Sequence, residues 1–169
     1  EYGILVINEA FDGWTEYKNG NVNDYTAHFE ETITADNQII NGEAGMQWGE
    51  FDVKAMVDGA KNDPSVIMWS IGNEIDEGVS GSTTHYVDVA RNIINWIQEV
   101  DTSRPITNGD NRKNTNPSAI ISQINQLIYE SGGVVGMNYA SNSQTVSMHN
   151  AYPNWPLYGS ETASSIHSR

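Results

Sequence analysis

Five of the six residues 66–71, VIMWSI, are apolar, and the run stops abruptly on Gly72, Asn73 and Glu74. A continuous apolar run, rather than an alternating one, marks a strand whose sheet is covered on both faces. Similar short runs recur in GILVI (residues 3–7), RPITN (104–108), VVGMNY (134–139) and PLYGSE (156–161). Five buried strands are therefore expected.

Amphipathic segments lie between them. Residues 48–63 set Phe51, Ala55, Met56, Val57 and Ala60 near helical spacing before Asp63-Pro64 breaks the pattern. Residues 84–100 put Val87, Ala90, Ile94 and Ile97 on one helix face, widened by Ile93 and Trp96. A third helix begins at Pro117, whose missing N–H is tolerated in the first turn. It carries Ile120, Ile121, Ile124, Leu127 and Ile128 and ends at Gly132-Gly133. The polar stretch 15–47, rich in Asn and Gly, reads as a long, partly helical loop. Strands alternating with helices specify parallel β/α units, which means an open doubly wound sheet or a (β/α)8 TIM barrel. No G-x-G-x-x-G follows a strand, so the barrel is the expected fold.

At 169 residues and 38% apolar, the chain has the size and composition of one domain with a real core. Its net charge of −14 argues against nucleic acid or an anionic membrane as partner, because phosphates would be repelled. With no cysteine it has neither disulfides nor thiolate metal sites. The four histidines, His28, His85, His149 and His167, show no ligand spacing. No run approaches the ~20 apolar residues of a membrane span. The chain opens almost directly into a strand and closes just after another, so a piece of a larger protein is expected.

Polar residues collect where the strands end: Asn8-Glu9, Asn73-Glu74, Asn108 and Asp110, Asn138-Tyr139, and Ser160-Glu161. In a β/α barrel these ends converge on the face that carries the active site. Carboxylates gathered there raise one another's pKa, a cost that points to use. Trp69 and Trp96 fall within elements and are expected in the core, whereas Trp14 and Trp155 fall in loops and are candidate sugar-stacking platforms.

ILVINEAFDGW, NDPSVIMWSIGNE, TSRPIT and PLYGSE occur in this order along the chain. In that order they resemble the motifs of the glycoside hydrolase family 2 barrel, the family of β-galactosidases, β-glucuronidases and β-mannosidases. The resemblance spans nearly the whole chain and implies that residues 1–169 are a fragment of one catalytic barrel domain, covering roughly barrel strands 3 to 7. In the wider clan of such barrels the acid/base follows strand four and the nucleophile strand seven, which places Glu74 and Glu161 in those roles. Glu74 would protonate the leaving glycosidic oxygen, Glu161 would attack the anomeric carbon, and Glu74 would then act as base on water. An ionised Glu161 would keep Glu74 protonated until glycosylation removes its charge.

The resemblance further implies that Asn73 bonds the sugar 2-hydroxyl, that Tyr139 orients Glu161, and that Glu9, Asp12 and Asp110 line the sugar pocket. The Glu-x-His pair that binds magnesium in some β-galactosidases of this family corresponds to Gly13 and Thr15 here, so no metal and no cofactor are expected. Gly72 in SIGNE is closest to β-galactosidases, since glucuronidases tend to have Ala there. The expected partner is a β-galactoside oligosaccharide or glycoconjugate, with a β-glucuronidase, another exo-glycosidase or a non-catalytic carbohydrate-binding barrel as the alternatives. The wording looks most like large surface or secreted bacterial enzymes, so an extracellular site is expected over a cytoplasmic one. A fragment of this kind is expected to be inactive alone and to self-associate through open sheet edges.

Overall fold

The structure, a computed structural model, describes residues 3–18, 26–37, 42–77, 79 and 81–162. Parts of the long polar loop, residues 19–25 and 38–41, and the terminal SSIHSR segment lie outside the described residues. Five strands, β1 (Val6–Glu9), β2 (Val66–Asn73), β3 (Ile106–Asp110), β4 (Val135–Asn138) and β5 (Leu157–Glu161), form one sheet in the order β1-β2-β3-β4-β5. Every pairing is parallel. A doubly wound sheet reverses its strand order at a switch point; strictly sequential parallel strands are those of an α/β barrel. The fold is part of a TIM barrel.

The helices are α1 (Thr26–Glu30), α2 (Trp48–Ala60), α3 (Tyr86–Val100), α4 (Ile120–Glu130) and α5 (Asn142–Ala151). Ile93, Ile94 and Ile97 of α3 and Ile121, Ile124 and Ile128 of α4 are buried together with Trp69, Ile71, Ile106 and Val135 of the sheet. Each buried isoleucine contributes about 2–3 kcal/mol relative to exposure, so these two stripes anchor β2, β3 and β4. Helix α5 departs from the sequence expectation. Its only buried residue is Met148, so it has no apolar stripe to betray it. What starts it is a capping box, in which Ser141 Oγ accepts from Gln144 N at 3.3 Å and Gln144 Oε1 accepts from Ser141 N at 2.9 Å.

Two expectations about tryptophan are corrected. Trp14 is fully buried: its indole N–H donates to the Ile71 carbonyl at 3.0 Å, and its ring packs edge-on to Tyr86. Trp155 is 6% exposed, stacks flat on Tyr152 at 3.8 Å, and donates to Gln126 Oε1 at 3.1 Å. Loop position did not mean exposure, because each indole finds an acceptor on a neighbouring element.

The TSRP segment has a structural task. Asp101 Oδ2 accepts from Trp69 Nε1 at 2.9 Å and from Arg104 Nη1 at 2.8 Å, while Arg104 Nε donates to the Val66 carbonyl at 2.6 Å and its guanidinium lies over the Trp69 ring. The start of β2 is thereby tied to the loop that begins β3. Burial opposes ionisation of Asp101, but hydrogen bonds from Ser103, Trp69 and Arg104 outweigh it and hold the carboxyl well below the usual range. No helix among the described residues is long and apolar enough to cross a membrane.

Candidate active site

The sheet presents the C-terminal ends of its strands on one side, and a cleft of about 330 Å³ opens there, lined by Glu9, Asp12, Ser70, Asn73, Asn138 and Glu161 among others. Asn73 is the last residue of β2, and the chain turns at once: Glu74 takes φ 48°. Its N–H is satisfied by the Gly109 carbonyl at 2.7 Å, across the neighbouring strand. At β4 the same construction recurs, with Asn138 ending the strand, Tyr139 at φ 53°, and the Tyr139 N–H on the Glu161 carbonyl at 2.7 Å. Left-handed backbone costs a non-glycine residue about 1–2 kcal/mol, and each of these two is held there by a cross-strand hydrogen bond.

Asn138 joins the groups. Its Nδ2 lies 2.9 Å from Glu74 Oε1, 2.9 Å from Glu161 Oε1 and 2.8 Å from Asn73 Oδ1. The two carboxyl oxygens are therefore no further apart than twice 2.9 Å. Glu161 also accepts from the Tyr139 hydroxyl; that hydrogen bond first, then desolvation, then the charges of Glu161 and Glu74 raise the phenol above its ordinary pKa.

Glu9 comes in from β1, with its Oε2 accepting from Ser70 Oγ. Burial raises its pKa and the charges of Asp12 and Glu161 add to that, while Ser70 and Lys18 oppose it. Asp12 stands at the cleft with most of its side chain exposed, paired to Lys18 Nζ at 3.1 Å. Lys18 is nearly buried and donates also to the Asn73 carbonyl. Among the described residues, no group of three or more His, Asp or Glu side chains could hold a metal ion.

The structure thus brings Glu74, Glu161, Asn73, Tyr139, Glu9 and Asp12 together and sets Asp110 apart. Asp110 is 1% exposed. Its Oδ1 accepts the backbone N–H groups of Arg112 at 2.6 Å and Lys113 at 3.1 Å, and its Oδ2 accepts from Asn125 on α4 at 2.9 Å. These bonds close the turn after β3 and tie it to α4. Asn138 and Ser160, unassigned in the sequence reading, belong to the site. The available signal was an amide and a hydroxyl at the ends of strands that are otherwise apolar.

Gly72 has a backbone reason that owes nothing to the sugar. Its φ is 154°, and a Cβ there would lie 2.6 Å from Ile75 Cγ2.

Residues 1–165 match the family model described as glycosyl hydrolases family 2, TIM barrel domain. The β-galactosidase BoGH2A of Bacteroides ovatus is 25% identical over 99% of this chain, which spans 20% of that protein. A crystal structure of a glycosyl hydrolase family 2 member from Bacteroides cellulosilyticus superposes with TM-score 0.62 at 29% identity, over 94% of this chain and 16% of that one. A β-glucuronidase from an uncultured Clostridium shares the fold, with TM-score 0.53 and 21% identity over 98% of this chain and 27% of that one. This chain belongs to the glycosyl hydrolases of family 2, as part of their TIM-barrel domain.

Proposed function

We propose that the chain carries the reacting groups of a retaining exo-glycosidase that cleaves terminal β-galactosides. Glu74 is the acid/base and Glu161 the nucleophile. One observation carries the reading: both carboxyl oxygens contact a single amide nitrogen at 2.9 Å. The resulting limit on their separation is below the ~6.5–9.5 Å that an inverting enzyme needs to fit a water, and compatible with the ~5–5.5 Å of direct attack.

In the first step Glu161 bonds the anomeric carbon while the glycosidic bond breaks and its oxygen takes the Glu74 proton. In the second, Glu74 removes a proton from water, the water oxygen bonds the anomeric carbon, and Glu161 leaves with its electron pair. Asn73, its Oδ1 engaged by Asn138, offers its N–H groups to the sugar 2-hydroxyl. Glu9 and Asp12 accept from the remaining hydroxyls, and the Tyr139 hydroxyl holds Glu161 in line.

A neutral hexose suits this cleft better than a uronate. Glu9, Asp12 and Glu161 would repel a sugar carboxylate, and Lys18 is already engaged by Asp12 and the Asn73 carbonyl. The relatives' names divide: that of Bacteroides ovatus is a β-galactosidase, and one of Formosa agariphila, 30% identical over 64% of this chain and 8% of that protein, carries the name "Putative beta-glucuronidase", so the preference rests on the charge of the cleft. The test is hydrolysis of nitrophenyl β-galactoside and nitrophenyl β-glucuronide by the full-length protein. The galactoside should be preferred, the first-formed sugar should be the β anomer by NMR, and Glu74→Gln and Glu161→Gln should each lower kcat by at least about 10³-fold. Sugar binding without turnover would instead favour a carbohydrate-binding barrel, and a preferred glucuronide would overturn the substrate.

A further inference from the structure

We infer that Asn138 is a positioning residue shared by both carboxyl groups, keeping one hydrogen-bond donor beside the negative charge in each half of the reaction. This rests on the glycosidase reading above and adds a role for the amide itself.

Asn138 is completely buried. An amide can turn end for end, and only one orientation presents donors to the carboxyls. That orientation is set by the three acceptors, Asn73 Oδ1, Glu74 Oε1 and Glu161 Oε1, which take the NH2 end, while Ser160 Oγ donates to Asn138 Oδ1 at 2.6 Å on the other side. Lys113 Nζ holds the Asn138 carbonyl at 2.6 Å, which restrains the backbone behind it. Space is provided by Gly109 on the strand between: a Cβ there would overlap Asn73 Oδ1 and lie 3.0 Å from Asn138 Oδ1.

Two N–H bonds face three acceptors, so the donors are shared, and the chemistry gives the sharing a purpose. In the retaining mechanism the reaction starts with the charge on Glu161 and the proton on Glu74. When Glu161 bonds the anomeric carbon and Glu74 gives its proton to the leaving oxygen, the charge has passed to Glu74. The second step returns it. A donor within 2.9 Å of both oxygens need not move to follow that charge. Such preorganised donors keep their value because they do not reorganise during reaction.

A dinitrophenyl β-galactoside separates the two steps, since its good leaving group makes the second step limit kcat while kcat/KM still reports the first. In the full-length protein, Asn138→Ala should lower kcat and kcat/KM together, each by about 10²-fold, with KM and the Ki of a galactose-like inhibitor within about threefold. Asn138→Asp keeps the shape but replaces the donors with a third carboxylate. It should move the acid limb of kcat/KM to higher pH, with Glu9, Asp12, Lys18, Lys113, Tyr139 and Tyr158, the other titratable groups around the cleft and this amide, unaltered. Ser160→Ala, which removes the hydrogen bond that holds the far end of the amide, should reduce both constants in the same ratio by a smaller factor, and it carries the test if Asn138→Ala does not fold. A loss confined to one step, a loss appearing wholly in KM, or full activity in these variants would overturn the inference. A wild-type protein that turns over no β-glycoside would overturn the glycosidase reading instead.

Discussion

Glu74 and Tyr139 share one backbone solution: each directly follows the asparagine that ends its strand, and each takes a left-handed φ, 48° and 53°. The turn lets two consecutive residues both serve one cleft. Along a strand their side chains would point to opposite faces of the sheet. Asn73 and Asn138 meet side by side, and the residues that follow them bend back toward Glu161.

If the Tyr139 hydroxyl serves only to hold Glu161, Tyr139→Phe should lower kcat about 10- to 100-fold with KM within a factor of about three. The ring is 47% exposed, so the melting temperature should not change. Steady-state kinetics and a thermal melt on the same sample check both.

The close approach at Gly109 predicts that Gly109→Ala damages activity more than stability. Its Cβ would displace Asn73 Oδ1, and a misplacement of about 1 Å can cost ~10²-fold in rate. Overpacking of this kind costs about 1–3 kcal/mol. Loss of turnover by at least about 10²-fold in a protein that still melts cooperatively is the expected outcome.

Glu9 is partly buried and its pKa is raised, so the folded protein binds that proton more tightly than the unfolded chain does. Stability must then fall as pH rises from the ordinary glutamate value of 4.5 through the raised one. Glu9→Gln, which can still accept from Ser70, should melt higher than wild type at pH 7. The gain should vanish below about pH 4.3. The same variant should raise KM for a galactoside, because a charged acceptor has become a neutral one.

Asp101 has the opposite sign. Its folded pKa is depressed, so its stabilisation is complete above the ordinary aspartate range and is lost as pH falls through the folded value. Asp101→Ala should destabilise by about 3 kcal/mol at pH 7, since it strands the Trp69 and Arg104 donors. The gap from wild type should begin to narrow as pH falls below the ordinary aspartate value of 3.8. Denaturant melts at pH 7 and pH 3 measure it.

The 169-residue chain by itself should run on a sizing column as an oligomer, with turnover under about 1% of the full-length protein. Strand β1 has an unpaired edge among the described residues, and Ile4 and Leu5 before it are 68% and 66% exposed. A clean, active monomer would contradict both expectations.

The parts of this fold legible in sequence were those held by burial. The stripes of α3 and α4 and the apolar run of β2, broken only by Ser70, exist because the middle of the sheet is buried, whereas β1 and β5 at its edges stay partly exposed. Helix α5 was illegible by the same logic, since it buries only Met148 and declares itself by its Ser141-to-Gln144 cap. The sequence put Glu74 and Glu161 at the ends of strands, and the structure brings their carboxyls to one amide. Position at a strand end did not separate Asp110, which closes a turn, from Glu9, which faces the cleft. That difference lies in side-chain direction and in contacts from α4, and neither has a local sequence signature. Trp14 and Trp155 were misread because their acceptors, Ile71 and Gln126, are 57 and 29 residues away.

The Asn73–Asn138 bond also crosses over a strand. β2 and β4 are not neighbours; β3 runs between them, and the two amides meet above Gly109. The reach of that bond depends on how sharply the sheet curls at β3, and so does the gap between the carboxyls hung from it. Barrel curvature and carboxyl spacing are then one mechanical coordinate. A substitution in the α3 or α4 packing that flattened the sheet by a few degrees would act as a remote adjustment of the reaction distance.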